Sequence, residues 1–121
     1  MNKMIILVPT RGRPMNAAQL LSAHEELSTA SDLLFVIDAN DPEHDQYHFE
    51  VGAERCMTIE NTSRGMAYPI NKAANAIAKQ NKYDFFAFLG DDHRPRTAGW
   101  DGILIQAMQR RPSMAYGNDL L

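Results

Sequence analysis

The apolar positions fall into short continuous runs, separated by polar turns and by stretches with helical spacing. "MIILVPT" (Met4–Thr10) is an unbroken run stopped by Pro9, and "DLLFVIDAND" (Asp32–Asp41) is a second that ends in polar and acidic residues. Runs without alternation suit strands buried on both faces. Between them Pro14 can take the first position of a helix. Ala17, Leu20, Leu21, His24 and Leu27 follow at helical spacing, which predicts a helix from Pro14 to Ser28. "PEHDQYHFEVGAER" has no clean period and reads as loop with a short helix at most. "CMTIE" (Cys56–Glu60) is a short third strand and "NTSRG" a turn. "YPINKAANAIAKQN" (Tyr68–Asn81) is a helix with Ile70, Ala73, Ala74, Ile77 and Ala78 on one side. "YDFFAFLG" predicts a fourth strand, and "AGWDGILIQAMQRR" a helix with Trp100, Ile103, Leu104 and Ala107 on its apolar face. "SMAYGN" predicts a fifth strand.

Buried strands that alternate with helices of about 10 to 15 residues imply a mostly parallel sheet covered on both faces, joined by right-handed crossovers. The expected fold is therefore α/β, a Rossmann-like three-layer sandwich. In such a sheet the carboxyl ends of the strands share one edge, so polar clusters distant in sequence converge there. Three clusters sit at predicted strand ends: Thr10, Arg11 and Arg13; Asp38, Asn40 and Asp41; and Asp91, Asp92, His93, Arg94 and Arg96.

Composition narrows the setting. The 121 residues match one compact domain, with no repeat, low-complexity tract or linker. No apolar run approaches the roughly 20 residues that span a bilayer. The apolar start reads as a strand, since Pro9 and Arg11 follow where a signal peptide would continue, so a cytoplasmic protein is expected. A net charge of −3 gives no electrostatic reason to expect nucleic acid. Cys56 is the one cysteine, which excludes an internal disulfide and any multi-cysteine metal site.

Each cluster has a functional and a structural reading. The "TRGRP" turn precedes a helix amino end, so Arg11, Arg13 and backbone N–H groups could hold a phosphate; a solvated turn uses the same residues. No dinucleotide or P-loop glycine pattern is present. Asp38 ends an apolar run, where an acid can accept from a base or ribose, and Asp38, Asn40 or Asp41 could equally cap a turn. Asp91 and Asp92 repel one another unless a cation intervenes. A divalent ion shared with a diphosphate is one such cation, and Arg94 and Arg96 in a surface turn are another. His44 and His48 have i, i+4 spacing that could bind zinc if the segment were helical, against the simpler reading of an exposed polar stretch.

Together these residues resemble the nucleotide-binding half of a GT-A glycosyltransferase of the family 2 type. The resemblance rests on "ILVPTRGRP", "FVIDAND", "NTSRGMAYPINKAANAIA" and "FLGDDHRP", the last at the place of the D-x-D motif. It implies a nucleoside diphosphate sugar as donor, with Mn²⁺ or Mg²⁺. Pro9, Thr10 and Arg11 would wall the nucleoside pocket, Arg13 would contact phosphate, and Asp38 the base. Lys72 and Asn75 would lie on the helix whose amino end faces the diphosphate. Asp91 would face the ribose and Asp92 would bind the metal. Gly90 stands where the motif usually has its first Asp, so His93 is a candidate metal ligand in its stead. The family's acceptor site and catalytic base belong to a second half that has no counterpart in these 121 residues, and neither Asp101 nor Asp119 matches the position of that base. The alternative to a transferase is a module that binds a nucleotide or nucleotide sugar without chemistry. A sugar nucleotidyltransferase is a third reading, disfavoured because its glycine-rich loop is longer than "TRGRP".

Overall fold

The computed structural model describes residues 3–28, 30–60 and 67–110. Within them four strands and four α-helices alternate: β1 (Met4–Thr10), α1 (Pro14–Leu27), β2 (Ser31–Asp38), α2 (His44–Val51), β3 (Cys56–Ile59), α3 (Ala67–Ala78), β4 (Phe85–Phe88) and α4 (Trp100–Arg110). A 3-10 turn, Ala53–Arg55, leads into β3. The strands form one sheet in the order β3-β2-β1-β4, and every neighbouring pair is parallel. The predicted strand over residues 113–118 and the "NTSRG" turn lie outside the described residues.

The unbroken apolar runs are explained by the two layers that cover the sheet. On one face Ile6, Val8, Phe35 and Ile37 pack with Ala17 and Leu20 of α1, Tyr47 and Val51 of α2, and Trp100 and Ile105 of α4. On the other, Ile5, Leu7, Leu34 and Val36 pack with Ala73 and Ile77 of α3. Successive strand residues point to opposite faces, so both need to be apolar, and each such side chain contributes about 1.5–3 kcal/mol by leaving water. Phe86 and Phe88 stand in register with Ile5 and Leu7 on the α3 side of β4, the edge strand among the described residues, where they are 42% and 64% exposed.

Four expectations change in detail. The segment after β2 is an ordered helix, because Tyr47 and Val51 are buried four residues apart although the rest of α2 is polar. β2 stops at Asp38, where the Asn40 N–H donates to Asp38 Oδ1 at 3.0 Å and the Asp41 N–H to the Asp38 carbonyl, turning the chain. α3 ends at Ala78, and Asn81 closes the following turn in the left-handed region at φ 53°. In α4 the buried positions are Trp100, Asp101 and Ile105, whereas Ile103 is 46% exposed and Ala107 faces solvent. Asp101 draws the helix inward: its carboxylate accepts from the Ala30 N–H at 2.8 Å and from Ser31 Oγ at 2.6 Å, and the Trp100 Nε1–H donates to Ser28 Oγ at 2.7 Å.

Pro9 shapes the carboxyl edge of the sheet. The β1–β4 ladder runs only from Met4 to Leu7, whereas β1–β2 continues to Thr10. The Leu7 carbonyl accepts from Leu89 N–H at 3.2 Å, so it faces β4, and Pro9, two residues on, faces the same way. Its missing N–H falls where the ladder has ended, which is how a proline fits a central strand. β1 and β4 part at this point, and a crevice can open between them.

Candidate functional site

The strand order places β2 and β3 on one side of β1 and β4 on the other, so the order reverses between β1 and β4. Open α/β sheets bind ligands at the carboxyl edge of such a switch point. The three predicted clusters do meet there. Arg11 Nη1 lies 3.0 Å from Asp38 Oδ2, and Arg13 Nη2 lies 3.1 Å from Asp91 Oδ1. Gly12 N–H donates to Asp41 Oδ2 at 2.7 Å, with Gly12 at φ 65°, a conformation glycine adopts without strain.

At the centre is a directed chain of hydrogen bonds. Arg13 N–H donates to the Tyr47 hydroxyl at 2.9 Å, and Thr10 Oγ1 donates to Asp91 Oδ2 at 2.6 Å. Tyr47 and Thr10 share a third bond of 2.8 Å. Thr10 has one proton and gives it to the carboxylate, so Tyr47 is the donor in that third bond. Burial pushes the Tyr47 phenol above its ordinary pKa, against the opposing effect of its bonds to Thr10 and Arg13, and it stays neutral as this role requires. The chain ends on a charged acceptor, which strengthens its last link.

The adjacent carboxylates of Asp91 and Asp92 avoid one another by facing apart. The Asp91 side chain is 1% exposed, whereas Asp92 and His93 are exposed. Asp91 Oδ1 is enclosed and receives no aligned hydrogen bond, so its stabilisation comes from the neighbouring Arg13 charge. The ribose contact expected of Asp91 has no open surface in this arrangement. Arg94 does not neutralise either acid directly. Its Nη1 donates to the Asp91 and His93 carbonyls, both at 2.7 Å, and its Nη2 to Gln19 Oε1 at 3.0 Å, tying the turn after β4 to α1.

The donor set for a metal is small. Among the described residues no group of three or more His, Cys, Asp or Glu gathers around one point. Asp92 offers an exposed carboxylate, and a Cβ at position 90 would lie 2.9 Å from its Oδ1, so a larger residue there would turn the Asp92 side chain aside. His93 is differently occupied. Its Nδ1 accepts from Gly90 N–H at 3.0 Å, which leaves the proton of the neutral ring on Nε2, so ligation through Nε2 requires that bond to break. One carboxylate suits Mn²⁺ or Mg²⁺ completed by phosphate oxygens and water.

Pro9 and Thr10 stand at the carboxyl end of β1. Lys72 and Asn75 are exposed on α3, across the sheet from α1 and α2. The Lys72 ammonium lies 5.5 Å from the Tyr68 ring. Asn75 stands about 12 Å along the axis from the first residue of α3, at 1.5 Å per residue, and does not join the cluster. Asp101 is buried beside Ala30 and Ser31 at the opposite, amino edge, remote from any donor at the switch point; Asp119 lies outside the described residues. Tyr47 is the contributor that pattern reading passes over, whereas Asp41 and Arg94 stand in the predicted clusters. Asp41 forms a turn of the kind its structural reading allows: its Oδ1 accepts from Glu43 N–H, two residues on, at 2.9 Å.

A groove of about 670 Å³ opens at the amino edge, lined in part by His24, Asp32, Arg55, Cys56 and Tyr83. Its ionisable groups are tied to structure. Tyr83 donates to Asp32 Oδ2 at 2.6 Å, and burial together with that carboxylate pushes the phenol up to about 12. Burial pushes the Cys56 thiol up to about 11, so it remains protonated and a weak nucleophile.

Among the described residues no helix is long and apolar enough to cross a membrane. Comparison of the chain with protein-family models and with curated proteins finds no match.

Proposed function

We propose that the chain is a metal-dependent glycosyltransferase of the GT-A type, or its donor-binding half, and holds a nucleoside diphosphate sugar at the carboxyl edge between β1 and β4. The observation that carries this reading is the meeting of Arg11, Arg13, Asp38, Asp91 and Asp92 at the point where the strand order reverses. Pro9 and Thr10 wall the nucleoside pocket and Asp38 receives the base. The side chains of Arg11 and Arg13 are 59% and 56% exposed although each touches an aspartate, so both are anchored within reach of a phosphate.

Charge balance argues for a cation. Asp38 and Asp91 are paired with Arg11 and Arg13, whereas among the described residues the exposed Asp92 carboxylate is paired with no arginine and is open to a cation. Asp92 is the residue that would hold Mn²⁺ or Mg²⁺. The ion supplies positive charge against the charge that grows on a leaving diphosphate. Asp91 acts indirectly by fixing Thr10 and Arg13. His93, with its proton on Nε2, is set to donate to a phosphate oxygen. A cytoplasmic location belongs to the same proposal.

A binding module without transfer is the second reading, and one observation favours it. Of the acids flanking the switch point, Asp38, Asp41 and Asp91 are engaged by Arg11, Gly12 N–H and Thr10, and Asp92 is assigned to the ion, so none of these four is left to act as a base. Thermal-shift measurements with a panel of nucleoside diphosphates and their sugars, with and without Mn²⁺, test the donor site. A Mn²⁺-dependent gain for one nucleotide supports it, and no gain for any of them removes it. Incubation with the donor so identified then separates the two readings, because a transferase transfers or slowly hydrolyses the sugar and a module only binds.

A further inference from the structure

Beyond the donor site, His44 and His48 lie one turn apart on α2, a helix of eight residues, and their imidazole centroids are 4.8 Å apart with the rings tilted by 52°. Residues at i and i+4 share a helix face. Metal–nitrogen bonds of about 2.0–2.1 Å, with the nitrogen about 1.1 Å from the ring centre, put two imidazoles bound side by side on one ion about 4.5–5.2 Å apart, centre to centre. The observed separation falls inside that interval, and sharing an ion requires one nitrogen of each ring to turn toward it.

We propose that His44 and His48 form a second, independent metal site that takes a borderline transition ion such as Zn²⁺, with water filling the remaining positions. Imidazole nitrogen selects ions of this class over Mg²⁺ and suits them better than the lone carboxylate of Asp92 does. The two nitrogens of His44 already face oxygen atoms, with Nε2 2.7 Å from Thr58 Oγ1 and Nδ1 3.3 Å from Asp45 Oδ1. An ion replaces one of these contacts, and the other keeps the ring oriented as an outer oxygen partner does at metal-bound histidines. With two protein ligands the ion is exchangeable. It also clips the helix that presents Tyr47 to Thr10 and Arg13, so binding stiffens the support of the switch-point edge.

The test is a calorimetric titration of the chain, without an affinity tag, with Zn²⁺ alone. One saturable site is expected, weakened by about tenfold or more in His44→Gln and in His48→Gln and unchanged in Asp92→Ala. Circular dichroism of each variant confirms that the fold is kept. Three results overturn the proposal: no saturable binding, parental affinity in either histidine variant, or loss of the site in Asp92→Ala. Because no nucleotide is used, failure of this site is separate from failure of the donor site.

Discussion

Thr10 and Asp91 are 81 residues apart in the chain and joined by a buried hydrogen bond of 2.6 Å across the gap where β1 and β4 part. This bond closes the floor of the switch point, and Tyr47 and Arg13 extend it. Thr10→Val keeps the side chain's shape and removes its hydroxyl, leaving Asp91 Oδ2 and the Tyr47 proton unpaired in a buried place. A loss of about 1–3 kcal/mol is expected, read as a lower urea midpoint at unchanged slope. Tyr47→Phe also removes two bonds, but neither of them ends on a carboxylate, so it should lose less than Thr10→Val. Midpoints equal to the parent's in both variants would show that the chain of bonds contributes nothing.

Trp100 is 1% exposed and joins the core to the start of α4. Trp100→Ala should cost about 3–5 kcal/mol through the cavity it leaves. Trp100→Phe retains most of the apolar contact but gives up the bond to Ser28 Oγ, and a cost of about 1–2 kcal/mol is expected. Chemical denaturation of both orders them, and an equal loss in the two would assign the whole effect to the hydrogen bond.

His24 supplies a pH dependence. Burial lowers its pKa from the ordinary 6.5, more than the nearby charges of Asp101 and Asp32 raise it. The unfolded chain therefore takes up the proton first as pH falls. The contribution to stability is complete above the unfolded value, declines as pH drops through it, and levels off below the folded value. Between about pH 8 and pH 5 the parent should lose more Tm than His24→Gln does. Parallel curves would contradict this assignment.

Much of the architecture is legible in the sequence because unbroken apolar runs such as "MIILV" and "LLFVI" have few uses other than a strand covered on both faces. The same logic places the polar clusters on one edge, where Arg11, Arg13, Asp38 and Asp91 are found together. What was hidden depended on tertiary partners. α2 has too few apolar residues to show a period, and it is Tyr47, held by Thr10 and Arg13, that anchors it. The face of α4 was misjudged because an aspartate, Asp101, is buried there among hydrogen-bond donors that no pattern of hydropathy reveals. Asp91 and Asp92 read alike as letters, yet the Thr10 hydroxyl and Arg13 draw one inward and leave the other in solvent.

Asp92 is proposed to hold a divalent ion with a nucleoside diphosphate at the switch point. Its most direct test is calorimetric titration of the parent and of Asp92→Ala with the nucleotide selected by the thermal-shift panel, in the presence and absence of Mn²⁺. Asp92 is exposed, so the substitution should leave stability within about 0.5 kcal/mol of the parent. Mn²⁺-dependent binding is expected of the parent and none of Asp92→Ala. Equal Mn²⁺-dependent affinity in the two proteins would contradict the proposal.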